Sequence, residues 1–135
     1  RWEIVMSEND ATHVLLVGHC MPDSFGLSRA VKKALPGAKV DRVNSDAALR
    51  KAMSGADLLL INRALDGRFL DADGVDMIRR LRLEANGRAP GMALVSNFPE
   101  AQQAAEEAGA SPGVGKSDLK SEEALRRIAE SARSA

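Results

Sequence analysis

The chain has 135 residues, 44% of them apolar and 28% charged, with 19 Lys and Arg balanced by 19 Asp and Glu. That is one domain's length with enough apolar side chain for a core, which excludes an intrinsically disordered segment. Zero net charge and 3% aromatics without Tyr argue against a nucleic-acid partner, and the lone Cys20 excludes an internal disulfide and a Cys-rich zinc site.

No apolar run approaches the roughly 18 residues of a membrane span, and no secretory leader is visible. A cytoplasmic protein without membrane contact is expected. Residues 1–12 read as an N-terminal arm ahead of a single domain over 13–135. The arm is apolar at Trp2, Ile4 and Val5 and polar over Ser7-Glu8-Asn9-Asp10. Met6 is a candidate start, with Arg1 to Val5 then an appended leader; otherwise the arm packs on the domain or on a partner.

His13-Val14-Leu15-Leu16-Val17 is an all-apolar strand, and Gly18 to Asp23 is the turn after it. Leu27, Val31, Ala34 and Leu35 then share one helical face that Gly37 closes. Lys39 to Val43 alternates polar and apolar, as an edge strand does. Ser45 caps a helix carrying Leu49 and Met53, which Gly55 ends. Asp57-Leu58-Leu59-Leu60-Ile61 is the most apolar run, a strand buried on both faces. A long connection, Arg63 to Asp73, leads to a helix with Val75, Ile78 and Leu81, closed near Gly87. Gly91 to Ser96 is another buried strand. Pro99 opens a helix whose small-residue face is Ala101, Ala104, Ala105 and Ala108. Ser111 to Lys116 is a short, weak strand. The last helix puts Leu125, Ile128 and Ala132 on one side and the pairs Glu122–Arg126 and Glu123–Arg127 on the other.

Five strands alternating with helices predict an α/β three-layer αβα sandwich around a five-stranded parallel sheet, order 2-1-3-4-5, flavodoxin-like. In such a sheet the residue just past a central strand faces the ligand crevice. Here that residue is Asn62, an amide.

Ala93-Leu94-Val95-Ser96, Ala108-Gly109-Ala110-Ser111 and Val114-Gly115-Lys116 resemble the last third of a response-regulator receiver domain. Asp57 to Ile61 and Gly74 to Leu81 resemble that family's third strand and third helix, so the likeness runs from about Thr12 to Ala132. The resemblance implies a bacterial two-component signalling module in which an Asp at the end of the third strand accepts a phosphoryl group. Two acids after the first strand would hold Mg²⁺.

Carried over residue by residue, the acceptor falls on Asn62 and the acid pair on Gly18 and His19. Only Ser96 and Lys116 match the pattern. The usual aromatic three residues before the Lys is Gly113, and the usual Pro after it is Ser117. An amide cannot form an acyl phosphate, and Gly18 and His19 offer no hard anionic oxygens to a metal. The expectation is a pseudo-receiver: not an enzyme, with no cofactor and no metal. It acts on a protein partner or as a homodimer through the fourth helix, fifth strand and fifth helix. Lys116 is expected to hydrogen-bond Asn62 or Ser96, or to capture an external anion.

Other readings stay open. The crevice residues Asn62, Ser96, Lys116 and His19 could sense a small anion or nucleotide. The connection after Asn62 is about four residues longer than the family's, and one of Asp66, Asp71 and Asp73 could be a relocated phosphoacceptor. The same connection could present Arg68 and Phe69 to a partner. Asp71-x-Asp73-Gly74 echoes a calcium loop, but Phe69 and Arg80 stand at its first and twelfth positions. Ala110 to Ser117 is a loosened phosphate-loop pattern without a later strand to complete it. His13 and His19 lie roughly 20 Å apart by strand rise, too far to share a metal.

Overall fold

A computed structural model describes residues 12–85 and 89–133. The first strand, β1 (His13–Val17), is followed by α1 (Met21–Ala34), β2 (Lys39–Val43), α2 (Asp46–Met53) and β3 (Leu58–Asn62). Next come α3 (Gly74–Glu84), β4 (Gly91–Val95), α4 (Pro99–Glu107), β5 (Ser111–Val114), a 3₁₀ turn (Lys116–Asp118) and α5 (Glu122–Arg133). The strands form one parallel sheet in the order β2-β1-β3-β4-β5, the predicted topology.

Alternation along each strand builds two cores. Val14, Leu16, Leu58, Leu60, Ala93 and Val95 face α1 and α5, meeting Leu27, Val31, Ala124 and Ile128. Leu15, Val17, Leu59, Ile61, Met92 and Leu94 face the other way, meeting Leu49, Met77, Ile78, Leu81 and Ala105. Every residue of β3 and β4 is buried, which is why those runs read as continuously apolar.

The caps follow the sequence. Ser45 Oγ accepts from Ala48 N at 3.1 Å, and Asp73 Oδ1 accepts from Asp76 N at 2.9 Å. At the β5 edge, Pro112 has no N–H to offer, and Arg127 donates to Gly113 O at 3.0 Å, so the strand is a poor template for further pairing.

Several boundaries differ from expectation. Met21 to Asp23 belong to α1 and not to the preceding turn, because Pro22 suits a first helical turn and an acid there favours the dipole. β5 stops at Val114, and Lys116 opens the 3₁₀ turn. α3 ends at Glu84 with Ala85 as its cap, and the predicted stop near Gly87 lies outside the described residues, as does the arm before Thr12. Arg126 pairs with Glu130 and Glu123 in place of Glu122, while Glu123–Arg127 forms as predicted at 2.7 Å. Ala101, Ala105 and Ala108 pack into the core, so α4's small-residue face is used internally and its outward side is Glu100, Gln103, Glu106 and Glu107.

Candidate functional site

β1 and β3 are neighbours, so their C-terminal ends bring Gly18, His19 and Asn62 together. Gly18 turns the chain with φ +78°, a conformation that favours glycine. A β-carbon there would lie 2.7 Å from Leu65 Cδ2. Leu65 therefore packs directly over the turn.

Asn62 is buried and both amide hydrogens are used. Its Nδ2 donates to Gly18 O at 2.9 Å and to Ala64 O at 2.7 Å. Two backbone carbonyls aim at one point, and the amide supplies the positive partner there. A carboxylate at 62 would meet both carbonyls with lone pairs. Asn62 Oδ1 is buried without a hydrogen-bond partner among the described residues.

His19 does not face the crevice as a ligand. Its ring is fully buried and Nε2 lies 2.8 Å from Leu60 O. A carbonyl only accepts, so Nε2 carries the proton and Nδ1 is the bare nitrogen. Burial lowers the His19 pKa from 6.5 to about 4, with the Lys116 and Arg42 charges adding to it against the Leu60 hydrogen bond. The ring is neutral at pH 7.

The connection after β3 closes the top. Asp66 N donates to Gly18 O at 2.9 Å, Arg68 N to Asn44 O at 3.0 Å, and Asp46 N to Arg68 O at 2.9 Å. Ser45 and Arg68 form a parallel bridge. Asn44 Nδ2 donates to His19 O at 3.2 Å and to Asp66 O at 2.5 Å. Residues 63–68 thus lie across the tips of β1 and β2.

The acids of this connection are placed as follows. Asp71 takes Arg80 through both carboxylate oxygens, at 2.8 to 3.2 Å, and its hydrogen bond raises the Arg80 pKa. Asp73 is the α3 cap, and Asp66 is exposed. Phe69 packs toward the core while Leu70 is 69% exposed, so the expectation of a presented Phe69 is corrected: the apolar tip of the loop is Leu70.

Lys116 joins neither Asn62 nor Ser96. Its Nζ donates to Asp23 Oδ2 at 3.2 Å, and that hydrogen bond holds the Asp23 carboxyl below the usual carboxylate range. Ser96 Oγ accepts from Phe98 N at 3.1 Å and so shapes the start of α4. Across the mouth, the Arg63 guanidinium stacks over the Phe98 ring at 4.8 Å. Asn97 Oδ1 accepts from Ser117 N and Ser117 Oγ, both at 3.1 Å, tying the β4–α4 connection to the 3₁₀ turn.

Sequence reasoning missed Asp23, Leu65 and Gln102. Asp23 had a signal, an acid in the first turn of a Pro-started helix. Gln102 had none. Its Nε2 reaches Leu94 O, Ser96 O and Val114 O at 3.0 to 3.3 Å, bridging the bulge between β4 and β5. At that bulge a β-carbon on Gly113 would run into the Leu94 carbonyl, so an aromatic at 113 has no room. Among the described residues, no three His, Cys, Asp or Glu side chains converge as metal ligands. No helix among them is long and apolar enough to cross a membrane.

No family model and no curated protein matches the chain. Solved structures similar to it include response-regulator receiver domains. A response regulator from Chloroflexus aurantiacus is 19% identical, covering 92% of this chain and 99% of its own, with a TM-score of 0.68. A CheY-like receiver domain from Methylobacillus flagellatus is 18% identical over 91% and 99%, at a TM-score of 0.64. The receiver domain of the TMAO respiratory-system regulator TorR is 24% identical over 91% and 94%, also at 0.64. The fold is the CheY-like, flavodoxin-like fold of receivers.

Proposed function

We propose that this chain is a receiver-type signalling module that works without aspartyl phosphorylation, through contact with a protein partner. One observation carries the reading: both donors of the Asn62 amide are committed to Gly18 O and Ala64 O, beneath Leu65. The position where a receiver keeps its nucleophile is a structural clamp. It holds the β1 and β3 ends in one arrangement, and any switching comes from partner binding that favours one state.

The anion-sensor reading needs donors turned into the crevice. Lys116 is turned to Asp23 and Asn62 to backbone oxygens, so the observations favour the interaction module. The partner surface we assign is α4, β5 and α5. There a hollow of about 490 Å³ is lined by Ser96, Gln102, Glu106, Gly113 and Arg127, among others. The acidic outward side of α4 suits a basic partner or a second copy's arginines.

Incubation with acetyl phosphate and Mg²⁺, followed by intact mass, tests the clamp. Neither the natural chain nor Asn62→Asp is expected to gain a phosphoryl group. Asn62→Asp is expected to be about 2 kcal/mol less stable to urea, since a carboxylate would face the Gly18 and Ala64 carbonyls where the amide now donates. A phosphoryl group mapped to Asp66, Asp71 or Asp73 would overturn the proposal. The surface is tested by capture from the source cell's lysate, which Glu106→Arg should weaken.

A further inference from the structure

The helices differ in how they dispose of charge. α2, α3 and α5 pair acids with bases along their own surfaces, through Asp46–Arg50, Asp76–Arg79 and Arg126–Glu130. α1 and α4 do not. Asp23 is the acid of α1 and is taken by Lys116. Arg29, Lys32 and Lys33 of α1 are exposed and have no anionic partner among the described residues. α4 carries no cation. Its Glu100, Glu106 and Glu107 are exposed and have no cationic partner among the described residues. Arg82 and Arg127, which stand near α4, donate to Gly109 O and Gly113 O instead.

Both helices also start on exposed apolar side chains. On α1, Met21, Phe25, Arg29 and Lys32 follow one another at helical spacing on one side, and Phe25 is 66% exposed. α4 starts on Phe98, which is 51% exposed with Arg63 over its ring. Each helix thus runs from an exposed Phe to a charged end, and the two ends are of opposite sign. At 1.5 Å per residue, Lys32 and Lys33 lie about 11 Å along the axis from Phe25, and Glu106 and Glu107 lie about 13 Å from Phe98. The two helices cannot meet in one molecule. Leu27 and Val31 place α1 on one face of the sheet, and Ala105 places α4 on the other.

We propose that the chain associates with itself head to tail, the exposed side of α1 on one copy docking along α4 of the next. This rests on the reading of α4 as a partner surface and names the partner as a second copy. The helices run parallel, so that Phe25 meets Phe98 while Lys32 and Lys33 meet Glu106 and Glu107. Apolar contact supplies attraction, and the charges fix the direction. Two different surfaces are joined, so the contact does not close as a two-fold dimer. Each pair keeps one free α1 and one free α4, and growth ends in a ring or an open chain.

Sedimentation velocity of the full chain over a concentration series tests this. The average mass should rise with concentration, and the association should weaken about tenfold between low and high salt. An α1 variant, Phe25→Gln with Lys32→Gln, and an α4 variant, Glu106→Arg with Glu107→Lys, should each stay monomeric alone. Mixed, they should form a species of two copies and nothing larger, since one intact α1 and one intact α4 remain. All four side chains are exposed, so the urea midpoints should match that of the natural chain; if Phe25→Gln lowers it, Lys32→Gln with Lys33→Gln serves instead. A natural chain that stays monomeric at low salt up to the highest concentration reached overturns the proposal. So does a dimer that either variant forms alone, which would mean two-fold pairing. So does binding to phosphatidylserine vesicles in place of self-association. The reading of α4 is judged separately: the α1 variant keeps α4 intact, so its capture of a lysate partner does not depend on self-association.

Discussion

The ends of β1 and β3 and the gap between α2 and α3 are both hollows of one sandwich, and the chain treats them differently. At the strand ends, residues 63–68 are laced down by backbone hydrogen bonds to Gly18, Asn44 and Asp46, with Leu65 on the turn. Between α2 and α3, the described residues leave about 880 Å³ lined by both apolar and charged side chains. The difference follows from the connections. The link after β3 has length to spare and polar backbone that finds partners in the strand tips. The link after α2 is too short to fold back. So the place where open α/β sheets usually bind ligands is bridged here by the connection after β3, and the open hollow lies elsewhere.

The largest expected effect tests how closed the strand ends are. His19 has a folded-state pKa of about 4 against an unfolded value of 6.5. Above pH 6.5 both states hold a neutral ring and stability is full. As pH falls toward 4 the unfolded chain takes up the proton first, so stability drops by about 3 kcal/mol across that window and no further below it. Urea unfolding at several pH values should show this slope, and His19→Gln should flatten it while keeping a donor for Leu60 O. An equal slope in both proteins would mean that water reaches the ring and that the hollow is open.

A middle-sized effect compares the two hollows with the same substitution. Gly18→Ala puts a β-carbon against Leu65 in a left-handed backbone, for a loss of about 2 kcal/mol. Gly55→Ala, beside the α2–α3 hollow, meets nothing within 4 Å and is expected to be neutral or to stabilise by about 0.5 kcal/mol. Thermal or urea melts of the two variants decide it. Similar losses would mean that the two hollows are equally packed.

Much of this was legible in the sequence. The runs Val14 to Val17, Leu58 to Ile61 and Met92 to Val95 placed the interior strands, because burial on both faces leaves no room for polar residues. The position of Asn62 followed from that. What Asn62 does was not legible, since its partners are the backbone oxygens of Gly18 and Ala64, and carbonyl directions leave no trace in residue types. Lys116 was assigned to the crevice and is found on Asp23, because α1 starts earlier than its apolar spacing showed. Gln102 reads like any polar helical residue until the bulge beneath it is known.

The smallest expected effect is the one that best separates a clamp from a site. Lys116 and Asp23 are 37% and 38% exposed, and their atoms are 3.2 Å apart. Such a pair is screened and contributes about 0.2–1 kcal/mol. Lys116→Met should therefore change urea stability by less than about 1 kcal/mol and leave the amide shifts of Gly18 and Asn62 in place. If the variant instead lost several times that and moved those shifts, the strand ends would be held by the ion pair rather than by Asn62. The crevice would then be a charged site with a removable cation. With Asn62's two backbone bonds already closing that end, the small effect is the consistent outcome, and Lys116 serves mainly to fix α1 against the turn before α5.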